Sequence, residues 1–267
     1  MNGKKLTVAD FRKFKERGEK IVMLTAYDAP TAAIAARAGV EILLVGDSMA
    51  MTVLGYANTL PLTMEEALHH AKAVRRGAPD AFVVGDMPFM SFQISIEEAL
   101  RNAARFLKEA GSDAIKIEGG AEVAPLVRRL VEAGVPVVAH AGLMPQHVLT
   151  SGGYHVQGRK VDDAARLAAD AAALADAGAF ALVLECIPAA LGESISRSVA
   201  IPTIGIGAGA GCDGQVQVVH DLLGLFSGFT PRHARRYAEL GTLMEKAIAD
   251  YVSEVKNGTF PGSENSF

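Results

Sequence analysis

"ARAGVEILLVGDS", residues 36–48, is the stretch on which the fold turns. A helix rich in alanine ends at Ala38-Gly39, and an apolar run from Ile42 to Val45 follows before Gly46, Asp47 and Ser48. Glycine at a helix end accepts the positive φ that closes the last turn. An unbroken apolar run of this length fits a parallel strand covered on both faces. The same grammar recurs in "KEAGSDAIKIEGG" (108–120), "VEAGVPVVAHAG" (131–142) and "ADAGAFALVLECIP" (175–188). Working outward, strands are predicted at 21–26, 41–46, 81–86, 113–118, 135–140, 180–185, 202–207 and about 215–220. Eight strands with intervening helices read as an α/β chain of the (β/α)8 TIM-barrel type. The expected organisation is a single barrel domain over 1–267, with a short N-terminal helix and a C-terminal helical extension. Only about eight residues part the last two strands, too few for an ordinary helix, so a doubly wound sheet is the rival. No GxGxxG follows the first strand, which argues against a dinucleotide-binding version of it.

In a barrel the carboxyl ends of the strands converge on one mouth, where the active site forms. Here those ends carry Asp47, Asp86, Lys116, Glu118, His140 and Glu185, together with "GIGAG" at 205–209. Charged residues are rarely buried unless paired, so several strand ends bearing them point to a site rather than to packing. "VVGDMPF" (83–89) repeats the Val-Gly-Asp of 45–47, which places Asp47 and Asp86 at equivalent strand ends. Alternation along a strand sends Ala114, Lys116 and Glu118 to one face and Ile115 and Ile117 to the other. The isoleucines suit the helix-facing layer, so Lys116 and Glu118 face the lumen. By the same rule Glu185 follows Ala181 and Val183 inward. Thr203, Gly205 and Gly207 are expected inside, with Ile204 and Ile206 outside, leaving space at the seventh strand.

Asp47, Asp86 and Glu118 are hard oxygen donors with no cysteine beside them, a set that suits Mg²⁺ with Glu118 joining directly or through water. No HxH or HExxH accompanies His140, which disfavours zinc. A Mg²⁺ held there could take the ketone and carboxylate oxygens of a 2-oxo acid and acidify the adjacent carbon. Lys116 could pair with the substrate carboxylate, and Glu185, alone at the end of an apolar strand, is the candidate base. A Schiff base on Lys116 is the rival chemistry, disfavoured because the surrounding acids would keep the amine charged. His140 could bond substrate or a metal-bound water, or be a satisfied structural histidine. His220, in "VVHDLLG", is expected to end the last strand near the mouth. Two long connections, 49–63 and 141–160, are expected to bind substrate or close over it; the second carries Tyr154. "IGIGAGAG" lacks the lysine of a phosphate-binding loop.

Composition removes other classes. With 26 basic and 30 acidic side chains the net charge is −4, which gives no electrostatic case for nucleic acid or an anionic membrane. The apolar runs are far too short to span a bilayer. Residues 1–20 read as a charged helix capped by Thr7, without the apolar core of a secretory signal, so a cytoplasmic location is expected. Cys186 and Cys212 form neither a disulfide framework nor a zinc pattern and read as small buried hydrophobes. In "RHARRYAELGTLMEKAIADYVSEVKNG" (232–258) a long terminal helix is expected, whose Leu240, Leu243 and Ile248 could cover the barrel or a neighbouring subunit.

The chain also resembles a known family. "TAYD" (25–28), "VGDS" (45–48), "GYANTLPLTMEE" (55–66), "HHAKAVRRGAP" (69–79), "GDMPFMSFQ" (85–93), "IKIEGG" (115–120), "GGYHVQGR" (152–159), "ECIP" (185–188) and "IPTIGIGAGAGCDGQVQVVHDLLG" (201–224) stand in the order seen in ketopantoate hydroxymethyltransferases. Ala57, Asn58, Ala141 and Met144 depart from the family's usual residues, away from the metal and base positions. The resemblance implies a (β/α)8 barrel assembled as a homodecamer of two pentameric rings. It implies transfer of a one-carbon unit from 5,10-methylenetetrahydrofolate to 3-methyl-2-oxobutanoate, giving 2-dehydropantoate on the route to pantothenate and coenzyme A. It implies one Mg²⁺ per subunit on Asp47, Asp86 and Glu118, contacts to the 2-oxo acid from Ser48, Asp86 and Lys116, and Glu185 as the base, with His140 near the substrate. The rival readings are a Mg²⁺-dependent 2-oxo acid lyase or mutase on the same barrel, and a noncatalytic barrel that binds a small molecule. Folate-dependent turnover separates the first, and proton exchange from the 2-oxo acid the second.

Overall fold

The computed structural model describes residues 5–225 and 231–267. Eight parallel strands close a barrel in chain order: β1 (Ile21–Thr25), β2 (Ile42–Val45), β3 (Phe82–Asp86), β4 (Ala114–Glu118), β5 (Val137–Gly142), β6 (Ala181–Glu185), β7 (Thr203–Ile206) and β8 (Gly214–Gln217). The expected (β/α)8 architecture is therefore present. Contacts divide the chain into two compact units, Met1–Val218 with the barrel and Val219–Phe267. The Ala-Gly punctuation works as read: Gly39, Gly111, Gly134 and Gly178 follow helices with φ of 92°, 69°, 86° and 100°, values that a side chain would disfavour. No helix among the described residues is long and apolar enough to cross a membrane.

The N-terminal helix, Val8–Arg17, is capped at Thr7, whose N–H and hydroxyl both donate to the Asp10 carboxylate at 3.0 and 2.6 Å. That helix does more than its charge suggested. Its Phe11 is fully buried beneath the barrel, edge-on to Phe82 with ring centroids 4.8 Å apart and 6.0 Å from Phe180. Burying a ring of this size contributes about 1.5–3 kcal/mol. The interior above it is filled by Ile21, Met23, Ile42, Leu44, Val84 and Val183, so the lumen is a packed core.

β7 corrects the predicted strand parity. Ile204 packs into the interior with Val183 and Val216, and Ile206 packs against the same cluster. Register explains this, because Ile204 pairs with the inward Val183. Thr203 instead turns to Ser196 in the helix Ala189–Ser198, their hydroxyls 2.5 Å apart. A Cβ on Gly205 would meet Cys212 and Gln215 rather than the lumen. The seventh strand therefore contributes Ile204 to the packed interior, with Ile206 against it. The short β7–β8 connection has no helix; Asp213 holds it by accepting from Lys15 Nζ at 2.7 Å and from the Thr203 N–H at 2.8 Å.

In the second unit β8 has already ended, and His220 lies in the helical turn Val219–Leu223 instead of at a strand end. There the Leu225 N–H bonds back to the His220 carbonyl at 3.0 Å, as a turn requires. The terminal helix is shorter than expected, Leu240–Asn257, because Tyr237 and Gly241 spend their N–H groups on Leu222 and Gly224. None of its residues is buried.

Candidate active site

The site grows out of strand register. Asp86 ends β3 on the inward face shared with Phe82 and Val84, and it is paired with Lys116 of β4. Lys116 Nζ donates to Asp86 Oδ1 at 2.7 Å. Gly85, just before Asp86, faces outward, where a Cβ would fall 2.3 Å from the Phe106 ring; glycine lets the helix Ile96–Lys108 seat on the strand. The two Val-Gly-Asp repeats are not equivalent. Val45 pairs with Gly85, so Gly46 is level with Asp86 and Asp47 lies one residue beyond it, off the strand. Asp47 comes into the mouth because the chain turns there, its N–H donating to Asp86 Oδ2 at 3.0 Å.

The next level up holds Glu118, paired with His140 of β5. Glu118 Oε1 is 3.6 Å from Lys116 Nζ and 3.5 Å from His140 Nδ1. His140 Nε2 lies 3.3 Å from Glu185 Oε2. Neither imidazole contact has hydrogen-bond alignment, so the attraction is ionic. Glu185 ends β6 beside Gly142, whose Cβ would stand 2.3 Å from the Glu185 carbonyl; with φ of 101° that position requires glycine. Asp47, Asp86, Lys116, Glu118 and His140 are each 5% exposed or less, while the Glu185 side chain is 15% exposed. Glu185 is thus the cluster's most open acid.

Charge and burial set the protonation states. Burial raises the Asp47 carboxyl well above its usual range, and the Asp86 and Glu118 charges add to the shift. Asp86 is also raised, by burial first, with Lys116 opposing. For Glu118 burial is outweighed by Lys116 and His140, and its carboxyl is lowered. Burial opposes the Lys116 charge, yet Asp86, Glu118 and Asp47 together hold the ammonium above its ordinary value. An amine held in its charged form is a poor Schiff-base nucleophile. Burial and Lys116 also oppose imidazolium at His140, but Glu118 and Glu185 prevail and push it up to about 9.

Of the residues singled out from sequence, Asp47, Asp86, Lys116, Glu118, His140 and Glu185 converge in one mouth. Ser48 lies beside them, its hydroxyl 2.8 Å from that of Tyr27, which burial pushes up to about 12. The connections after β2 and β5 meet where the Tyr154 hydroxyl approaches Met51 Sδ at 3.9 Å. Two contributors escaped the sequence reading. Tyr27 carried no charge to mark it. Gln146, in the turn Pro145–His147, is 2% exposed and donates from Nε2 to Asp47 Oδ2 at 3.1 Å. Its only signal was a place in a long connection at the mouth.

The donor set fits a hard divalent cation. Three buried carboxylates share a single lysine, and Glu118 Oε1 has no hydrogen-bond partner. Among the described residues no group of three or more His, Cys, Asp or Glu is gathered closely enough to hold an ion unaided.

Fold and cluster define a (β/α)8-barrel enzyme with buried acids gathered around one lysine at the mouth. The family model of ketopantoate hydroxymethyltransferase matches residues 5–263. The chain is 56% identical over 263 residues to the 3-methyl-2-oxobutanoate hydroxymethyltransferase of Carboxydothermus hydrogenoformans, covering 98% of this chain and 95% of that one. It is 55% identical over 265 residues to the enzyme of the same name from Syntrophus aciditrophicus, covering 99% and 97%. The chain belongs to the ketopantoate hydroxymethyltransferase family. Among solved structures, a phosphoenolpyruvate phosphomutase from Streptomyces platensis subsp. rosaceus superposes with a TM-score of 0.64 over 95% of this chain and 88% of that one. At 16% identity that likeness speaks for the fold alone.

Proposed function

We propose that this enzyme transfers a hydroxymethyl group from 5,10-methylenetetrahydrofolate to 3-methyl-2-oxobutanoate, forming 2-dehydropantoate for pantothenate synthesis, with Mg²⁺ on Asp47, Asp86 and Glu118. The observation that carries the reading is the continuous buried chain Asp47–Asp86–Lys116–Glu118–His140 running up to the more open Glu185. Lys116 supplies a fixed positive charge for the substrate carboxylate, and Ser48 and Asp86 orient the same end. A bound Mg²⁺ supplies Lewis acidity toward the 2-oxo acid oxygens. Glu185 accepts the proton on carbon three, the only proton on the carbon next to the ketone. His140, charged between Glu118 and Glu185, keeps the Glu185 carboxylate aimed down into the mouth. Water cleaves the two carbon–nitrogen bonds of the folate methylene, its hydrogens going to the nitrogens of the departing tetrahydrofolate and its oxygen to the one-carbon unit. The electron pair left on carbon three forms the carbon–carbon bond to that unit as its carbon–oxygen π bond opens, and the resulting alkoxide takes the proton held on Glu185 to become the product hydroxyl.

The same reading includes a homo-oligomer, decameric as in the family resemblance. The terminal helix supports an oligomer, since Met244, Ile248, Tyr251 and Val255 recur at helical spacing and are all exposed. The test of function is turnover of 3-methyl-2-oxobutanoate with 5,10-methylenetetrahydrofolate and Mg²⁺. Folate-dependent 2-dehydropantoate is expected, and its absence under saturating substrates would sink the reading.

A further inference from the structure

We propose that Gln146 is a positioning residue that orients Asp47 and Glu118 toward a divalent cation. The inference rests on the Mg²⁺ reading above. Gln146 lies on the connection that leaves β5, yet it ties together the ends of three other strands. Nε2 donates one hydrogen to Asp47 Oδ2 at 3.1 Å and the other to the Met87 carbonyl at 3.0 Å. Its main-chain N–H donates to Glu118 Oε2 at 3.1 Å. Its Oε1 accepts from Gln93 Nε2 at 3.2 Å. Both amide hydrogens and the amide oxygen are engaged, which fixes the plane of the side chain and which end faces Asp47.

The choice of an amide has a chemical logic. Lys116 serves Asp86 at 2.7 Å and stands 3.6 Å from Glu118. The Asp47 side chain takes its hydrogen bond from Gln146 instead. A neutral donor fixes a carboxylate without cancelling its charge. Lysine or arginine at this position would compete with a cation, and an acid would repel Asp47. Holding Asp47 through the side chain and Glu118 through the main chain also sets the spacing of two carboxylates that come from different strands. Oriented outer partners of this kind are what give a metal pocket its affinity.

The test is Mn²⁺ binding to the metal-free full-length protein, read from the electron paramagnetic resonance signal of the free ion. Gln146→Met keeps the length of the side chain and the main-chain N–H but removes both amide donors. Mn²⁺ affinity should fall about 10–100-fold at a temperature where the variant is folded. Repeated in an Asp47→Asn background, the same substitution should cost no more than about threefold, because the effect passes through Asp47. A purely structural role would lower the unfolding temperature and cost the same in both backgrounds, which would overturn the proposal. So would a folded Gln146→Met with affinity within about twofold of wild type. If Gln146→Met does not fold, Gln146→Asn takes its place, since one methylene less draws the amide away from Asp47. A wild-type protein that binds no Mn²⁺ overturns the metal reading and this inference together. Binding that is sensitive to Asp47→Asn and indifferent to Gln146 overturns this inference alone.

Discussion

Glu185→Gln separates binding from chemistry. The substitution keeps the size of the side chain and removes its basicity. The contacts say how much else it disturbs. Lys116 is linked to Glu185 only through Glu118 and His140, by successive contacts of 3.6, 3.5 and 3.3 Å. Lys116 and Asp86 keep their 2.7 Å pair in the variant, because neither touches Glu185. Affinity for 3-methyl-2-oxobutanoate should therefore change little. Proton removal should slow by about 10²–10⁴-fold, the usual effect of losing a placed base, which corresponds to about 3–5 kcal/mol of barrel-mouth transition-state stabilisation. The assay is deuterium exchange at carbon three of 3-methyl-2-oxobutanoate with Mg²⁺ and no folate, which isolates this step from bond formation. Exchange at the wild-type rate would refute the base assignment. Exchange preserved with transfer lost would instead place Glu185 on the folate half of the reaction.

Three further outcomes are expected. Asp86→Asn should weaken Mn²⁺ binding in a direct titration and also destabilise the fold by about 3–5 kcal/mol, the cost of leaving one member of a buried pair alone; unchanged metal affinity there and in Asp47→Asn would remove the proposed metal site. Phe11→Ala should cost about 3–5 kcal/mol in urea unfolding, because a fully buried ring beneath the barrel is lost; a cost below about 1 kcal/mol would mean the helix is no part of the core. Ile248→Asp, on the exposed apolar stripe of the terminal helix, should shift sedimentation toward smaller species while leaving the unfolding midpoint of the barrel nearly unchanged; wild-type protein that sediments only as a monomer at micromolar concentration would defeat the oligomer reading.

The contrast between β4 and β7 shows what made the fold legible and where legibility stopped. Along β4 the alternation sets Lys116 and Glu118 against Ile115 and Ile117, and a charge in a buried strand can face only the mouth. Along β7 it sets Thr203 and Gly205 against Ile204 and Ile206, and that choice has no such anchor. Both faces of a barrel strand are covered, so an isoleucine suits either. What decides is the neighbour on each side. The interior must be filled, and Ile204 fills it beside Val183. The outer side offers a serine hydroxyl that Thr203 can use and a cysteine sulfur that a Cβ on Gly205 would crowd at 3.0 Å. Those neighbours come from residues 196 and 212, and no period within the strand reports them.

The site follows the same division. Six ionisable residues were visible because burying them without partners is costly, so their place at strand ends called for an explanation. Asp47 and Asp86 looked equivalent by motif, and register shows that they are not: one is carried by the strand and the other by the turn after it. Gln146 was invisible because it is neutral and reaches Asp47 from 99 positions along the chain. A charged residue announces its need for a partner, whereas an amide in a loop is equally at home in water. The residues that tune such a cluster without adding charge are therefore the ones that only the folded chain reveals, and Gln146 is where that argument can be put to the test.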